Sequence, residues 1–463
     1  MRVVLFLISL VWQINTQNVF EKNEYPLTYL NIFHVKTNSF FAKRLILSGG
    51  SDSLNIEETK RRLRSLGIFR EVKTQRRKDT VFLNLHDAFT QSLFFDYKFY
   101  DTLKNIGVGF EDDNFLGTLS KVHVYYFKKY DRDYLQGGLS IPGLPLKSTD
   151  FTASFERGEN LKKDMLMLNP FSTPLIKKYI NALYIKEKKD EFLYQKGYII
   201  DTNKIDFSLF SLKMGKPVKK KYTFLPYIAT EYLKTRDTVF TRIGAGIYYV
   251  RLRSLKTRLM RSSLYNDYLT KGTVARFELY PLLRGVERLS LYLNLKEGMP
   301  PAYFDGSLIY SISRGSGYAR LKNKIYLRLP WRFTVFGYTD FGIIHKVETV
   351  LSYENISVFS LGADNGLYAY PPHYFNGREM ALIYGEIRLF GPSYKKLLGP
   401  QVALFYALGN AGEHIKYLSR SFGFSLRAEI GVLGPNAIYA LNFGFKKPFE
   451  SPLISFGTTL DFQ

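Results

Sequence analysis

From Ser92 onward the chain changes sides at every residue, over and over. Leu289, Leu291, Leu293 and Leu295 alternate with Arg288, Ser290, Tyr292, Asn294 and Lys296. Ile325, Leu327 and Leu329 alternate with Lys324, Tyr326 and Arg328, and Ile106, Val108 and Phe110 with Gly107 and Gly109. A period of two places one set on each face of a strand. One apolar face and one polar or glycine face suit the wall of a barrel, with hydrocarbon outside and water inside. Soluble sandwiches share the alternation. Transmembrane strands need about 9–11 residues. At roughly 23 residues per strand and its connection, residues 92–463 make about 16 strands, an even number. Pro330-Trp331 marks one tight turn, and the polar stretches Lys186–Glu191 and Lys213–Lys221 are expected to be external loops.

Composition narrows the class. Charged residues make up 23% of the chain and mean hydropathy is −0.15, which excludes a bundle of transmembrane helices. Hydrophobic residues make up 46%, enough to bury a core, so disorder is excluded as well. Phe and Tyr number 38 and 35, and both favour strands. There is no cysteine, which rules out thiol catalysis, iron–sulfur clusters, zinc–cysteine sites and disulfides. The net charge of +24 reads as solvated loop charge and attraction to anionic lipid headgroups, not as a nucleic-acid site.

The start of the chain is different. Arg2 followed by the apolar run Val3–Trp12 reads as a secretory signal peptide over residues 1–17, the alternative being a buried first strand. The run is shorter than the roughly 20 apolar residues of a spanning helix. Residues 18–90 then read as a small α+β module. A first helix is expected near Thr37–Leu45. Asn55 reads as the N-cap of a second, with Glu58 as its capping-box partner. Lys60, Arg61, Arg62 and Arg64 follow Glu57 and Glu58, the polarity a helix dipole favours, and Gly67 is placed to end the helix. Phe69–Lys73 and Thr80–Leu85 form a hairpin turning at Arg77-Lys78-Asp79.

The stretch from Glu58 to Val72, with Leu66, Gly67, Phe69 and Val72 at its junction, resembles the end of a polypeptide-transport-associated (POTRA) domain. In such domains a charged helix runs through a Leu-Gly-aromatic turn into the closing hairpin. Three further stretches resemble the bacterial surface antigen family of outer-membrane assembly and two-partner-secretion barrels. Ile106–Gly117, ending in Asn114-Phe115-Leu116-Gly117, is similar to the family's second strand and turn. Gly362–Pro371, then Gly377 and Glu386-Ile387-Arg388, is similar to its long sixth loop and return strand. Phe456, Gly457, Thr458, Leu460 and Phe462 resemble the terminal β-signal, a strand that presents an open edge until the barrel closes. The family's loop motif carries Arg-Gly, the Arg pairing with a strand Asp in the lumen. In the run Gly366-Leu367-Tyr368-Ala369-Tyr370, Tyr368 and Ala369 stand at those positions, and Ala407 stands where the Asp would fall. Both partners are replaced together. The loop is therefore expected to be held by Tyr368 and Tyr370 through ring packing and hydroxyl bonds. Phe336-Gly337-Tyr338-Thr339-Asp340-Phe341-Gly342 has the acidic pattern but precedes the loop and is not given that role.

The resemblance implies a mainly β chain: an antiparallel transmembrane β-barrel over 91–463 with one POTRA-like periplasmic domain, in the outer membrane of a Gram-negative bacterium. It implies a role in inserting, assembling or translocating proteins. The POTRA edge would capture strands, and a lateral seam of Phe94, Tyr97, Phe456, Leu460 and Phe462 would open. Its partners would be outer-membrane lipids, unfolded or exported clients and accessory lipoproteins. The rival readings are a passive pore and a soluble secreted adhesin. An enzyme is not expected. The six histidines are dispersed, no Gly-x-Ser-x-Gly elbow or Walker loop occurs, and Gly244-Ala245-Gly246 reads as a strand needing small residues. No cofactor, metal or catalytic residue is assigned.

Overall fold

Alternating apolar and polar residues close here into a ring of strands with a small mixed unit at one rim. The computed structural model describes residues 11–458 apart from 22–23, 26, 47–52, 79, 101–102, 130–131, 145–148, 171–178, 196–197, 219–222, 236–238, 258–266, 281–287, 300, 314–315, 346–358, 395–396, 431–437 and 449. The small unit comprises β1 (Val11–Gln17), a 3-10 turn (Leu27–Phe33), α1 (Ser39–Arg44), α2 (Ser53–Ser65), β2 (Phe69–Arg77) and β3 (Thr80–Asp87). Its sheet runs in the order β1-β3-β2, with β1 parallel and β2 antiparallel to β3. Leu45, Leu63, Ile68, Val72, Leu83 and Leu85 form its buried core. Residues 11–17, which the sequence placed at the end of a signal segment, form β1; residues 1–10 lie outside the described residues. Helix α2 starts two residues before Asn55, so Asn55 is not its N-cap. Glu58 pairs with Arg61 one turn on (2.5 Å) rather than closing a capping box. Gly67, at φ 74°, accepts the left-handed geometry that ends the helix.

The barrel begins with β4 (Gln91–Tyr100), β5 (Leu103–Phe115), β6 (Ser120–Lys129), β7 (Arg132–Pro142), β8 (Thr149–Gly158) and β9 (Leu161–Pro170). It continues with β10 (Tyr179–Gln195), β11 (Tyr198–Gly215), β12 (Thr223–Thr235), β13 (Val239–Thr257), β14 (Asp267–Tyr280) and β15 (Arg288–Met299). β16 (Ala302–Ser313), β17 (Ser316–Arg328) and β18 (Phe333–His345) follow. Two short strands, β19 (Phe359–Leu361) and β20 (Phe375–Gly377), pair with each other in a separate two-stranded sheet. The wall resumes with β21 (Glu379–Phe390), β22 (Leu398–Gly412), β23 (Ser419–Ile430), β24 (Ile438–Phe445) and β25 (Leu453–Thr458). β25 pairs with β4, so the described ring has 20 antiparallel strands, not the expected 16. The excess comes from short turns. Two residues join β4 to β5, β6 to β7, β8 to β9 and β10 to β11, where the sequence estimate allowed a loop. The charged run Lys186–Glu191 is likewise no loop but part of β10, and Lys213 lies in β11 with its amine buried.

Along β12, and along β22 from Leu398 to Ala407, exposed and buried residues alternate. Ile228, Ile243, Ile387, Val402 and Leu404 point outward; Leu404 keeps 61% of its surface exposed. Tyr227, Glu231, Glu386 and Arg388 point inward and are buried. A closed ring exposing aliphatic side chains and burying charged ones is the inverse of a water-soluble barrel. Gly244 and Gly246 also face inward, beneath the rings of Tyr280 and Tyr227, where a Cβ at either would collide. Because consecutive strands are antiparallel, the 20 strands return the chain to the rim that carries the small unit (the proximal rim).

Candidate functional site

Between β18 and β21, the described residues 359–378 fold into the lumen. Gly366, at φ 95°, ends a short 3-10 turn in the left-handed region. Leu367 N–H donates to Gly362 O (3.1 Å), and Tyr370 N–H donates to Leu367 O (2.9 Å). Leu367 is fully buried, and Ala369 N–H donates to Ser421 Oγ on β23 (3.0 Å). The Tyr368 ring packs edge-on to Phe405 (5.0 Å) and Tyr384 (6.4 Å). Tyr370 packs on Phe375, with the Lys446 ammonium 4.9 Å over its ring. A Cβ at Gly444 would strike the Tyr368 main chain, so β24 can host the loop only with glycine there. Ala407 is fully buried beside Tyr384 in the β21–β22 register. Strand β20 touches β22 on one wall and β10 on the other, so this loop spans the lumen.

Beneath the loop lies a charged cluster that sequence reasoning did not single out as a site. The Arg427 guanidinium grips Glu386 with both Nη atoms (3.0 and 2.7 Å). Arg388 Nε pairs with the same carboxylate, and the Tyr384 hydroxyl donates to it (2.6 Å). Arg388 lies 4.8 Å over the Phe336 ring, a cation–π contact. Tyr384 therefore sits between the loop and the ion cluster, touching Tyr368 with its ring and Glu386 with its hydroxyl. The signal was present as Glu386-x-Arg388, two opposite charges on one strand face. Asp340, in the pattern given no role above, faces the lumen and holds Arg320 of β17 (Nε 2.9 Å, Nη2 2.8 Å) and the Tyr338 hydroxyl (2.7 Å).

The seam is where the first and last strands of the ring meet, and its described rungs are Ser455–Lys98, Phe456–Tyr97 and Gly457–Asp96. Tyr97 and Phe456 meet there on the outer face. Phe94 does not join them. Its ring points into the lumen against Tyr125 and Phe127. Leu460 and Phe462 lie outside the described residues. Tyr439 of β24 donates its hydroxyl to Leu93 O of β4 (2.5 Å). That bond joins the two sides of the seam.

The small unit is fastened to the barrel beside that seam. Leu66, Gly67, Phe69 and Val72 form the α2–β2 junction, with Phe69 and Val72 in the unit's core. The turn after β5, where the Asn114-Phe115-Leu116-Gly117 resemblance falls, is its socket. Asn114 Nδ2 donates to Thr37 Oγ1 (2.8 Å), and Asn38 N–H donates to Gly117 O (2.9 Å). Buried Asp87 accepts from Thr37 N–H (2.7 Å) and lies 3.0 Å from His34 Nε2. The three residues between β3 and β4, Ala88, Phe89 and Thr90, are all buried. Thr90 is tied at both its hydroxyl, to Asp112 (2.7 Å), and its carbonyl, to Asp113 N–H (3.0 Å). Arg62 of α2 donates to Leu45 O (3.1 Å). Burial lowers its pKa to about 10, while Asp150 of β8 pulls the other way.

His86 on β3 gives this unit a pH dependence. Burial, and then the neighbouring Arg70, lower its pKa below the usual 6.5. The folded unit thus prefers neutral imidazole, while the unfolded chain takes up a proton near pH 6.5. Stability is complete above that pH and declines as pH falls through it, because the unfolded state binds more protons there. Urea unfolding of the unit, followed by Trp12 fluorescence, is expected to weaken from pH 7.5 to pH 5. His86→Gln is expected to flatten that decline, and an equal decline in the variant would refute the assignment.

Among the described residues, no three His, Asp or Glu side chains group closely enough to hold a metal ion. No protein-family model matches the chain. No curated protein matches it either. Among solved structures, it is similar to BamA from Haemophilus ducreyi lacking POTRA domains 1–3, with 12% identity, 97% of this chain and 84% of that one covered, and a TM-score of 0.42. It is also similar to CdiB from Acinetobacter baumannii (11% identity, 91% and 71% covered, TM-score 0.44). CdiB from Escherichia coli gives 8% identity, 91% and 73% covered, and a TM-score of 0.46.

Proposed function

We propose that this chain is an outer-membrane barrel that helps proteins insert into, assemble in or cross that membrane. Its small unit is a POTRA-like domain on the periplasmic side. The observation that carries this reading is a closed ring with an apolar outer face whose first and last strands, β4 and β25, meet at a seam beside the small unit. β4 and β25 are the first and last strands of the ring and no turn connects them, so they can part without breaking the chain's order, and parting them offers a strand edge to a client. The order β1-β3-β2 puts β2 at a sheet edge, where an extended client segment can add main-chain hydrogen bonds without a fixed sequence. The apolar outer face supplies the lipid contact. A leader for export would lie before β1, with cleavage ahead of Val11, because β1 completes the sheet. Accessory lipoproteins would meet the small unit from the periplasm. No catalytic step is part of this reading, and the energy comes from client folding. The loop that crosses the lumen from β22 to β10 argues against a steadily open pore.

The absence of native cysteine makes the test clean. Tyr97→Cys with Phe456→Cys places two thiols on facing seam residues. In cells relying on this variant, oxidation is expected to stop outer-membrane protein assembly or secretion, and reductant to restore it. Normal client levels with the seam quantitatively crosslinked would rule out seam opening as the mechanism.

A further inference from the structure

We propose that the turn at Trp331 is a lipid-headgroup anchor, which sets the depth of the barrel in the leaflet nearest the small unit. The proposal rests on the reading that the barrel spans a membrane. Leu329 N–H donates to Phe333 O (2.9 Å) and Phe333 N–H to Pro330 O (3.3 Å), closing a tight turn between β17 and β18. Trp331 and Arg332 sit at its two central positions with φ of 60° and 68°. Both lie in the left-handed region, where asparagine and glycine are the usual occupants of such a hairpin. An indole and a guanidinium are held there against backbone preference. The turn is also pinned to its neighbour: Phe390 N–H donates to Arg332 O (3.1 Å), and Arg332 Nη2 donates to Gly391 O (2.5 Å).

This rigid turn packs its tryptophan against nothing. Trp331 is 88% exposed, the most exposed large hydrophobic side chain described. It follows directly on the outward apolar row of Ile325, Leu327 and Leu329. Arg332, also exposed, is its neighbour in the turn. An apolar ring with one N–H, placed just beyond an apolar band and next to a guanidinium, matches the boundary where acyl chains give way to phosphate. Indoles collect at that boundary, and arginine pairs with phosphate. The continuity of Trp331 with the apolar outer band favours a phospholipid surface over a protein partner.

Trp12 and Trp331 are the two tryptophans of the chain, so Trp12→Phe leaves Trp331 as the sole reporter. The full chain would be reconstituted in phosphatidylethanolamine/phosphatidylglycerol vesicles carrying a nitroxide either near the headgroup or deep in the acyl chain. The expected result is blue-shifted emission, quenched more by the shallow nitroxide than the deep one. Aqueous acrylamide should quench it several-fold less than in urea. A second variant, Trp12→Phe with Trp331→Phe and Leu404→Trp, places the reporter midway along β22 on the outer face and tests the membrane reading itself. Deep quenching at position 404 with full acrylamide access and no lipid quenching at Trp331 overturns the anchor alone. Loss of lipid quenching at both positions overturns the membrane reading and the anchor with it.

Discussion

Replacing Glu386 with alanine is expected to destabilise the folded barrel by about 3–5 kcal/mol. The carboxylate is 3% exposed and takes the bidentate grip of Arg427, the Nε of Arg388 and the hydroxyl of Tyr384. Removing it leaves two guanidiniums inside the wall without their shared counterion. The cost is chiefly that of the abandoned charges, not the worth of the pair. Glu386→Gln, which keeps an acceptor oxygen but not the charge, is expected to fall between alanine and wild type. The triple replacement Glu386→Leu, Arg388→Leu, Arg427→Met removes charge and counter-charge together and is expected to lie much closer to wild type. The temperature at which the folded band is lost on a heat-modifiable gel reads all three. A loss under about 1 kcal/mol for alanine would mean that water already screens the cluster.

Asp87→Ala should act elsewhere and spare the barrel. The buried carboxylate receives the Thr37 main-chain N–H and faces the His34 ring, so it holds residues 34–38 against the socket at Asn114–Gly117. Hydrogen bonds to a charged acceptor contribute about 1.5–3 kcal/mol each, so about 3 kcal/mol of docking stability is expected to go. Limited proteolysis should then cut near residues 34–38 many times faster, with the heat-modifiable shift of the barrel unchanged. Asp87→Asn retains an acceptor for Thr37 and should be cut at an intermediate rate. Unaltered protease resistance in the alanine variant would show that the socket is held by packing around Leu119 and Leu45 instead.

The features that were plain in the sequence were local. Leu293 and Leu295 face outward and Asn294 inward, as alternation requires, because a strand has no other way to sort them. The Leu66–Val72 junction and the Gly67 helix stop were equally legible, since each depends on neighbours a few residues away. The strand total was not, because turn length is decided by strand pairing, and a two-residue turn such as 159–160 leaves little trace. Lys186–Glu191 misled through charge. Alternation places Glu187 inward, 5% exposed and paired with Lys163 and Lys189, and nothing local reveals such partners. Asp340 with Arg320, Glu386 with Arg427, and Asn114 with Thr37 are separated by 20, 41 and 77 residues. Chemistry assembled across that much chain appears only once the ring has closed.

Ala88, Phe89 and Thr90 are all that separate the small sheet from β4, and none of them has slack. Three fixed residues leave no length of chain to absorb a twist. The sheet and the seam strand therefore work as handle and blade of one tool. On the function proposed above, a client tugging on β2 would be felt first along β4, before the rest of the wall registers any load.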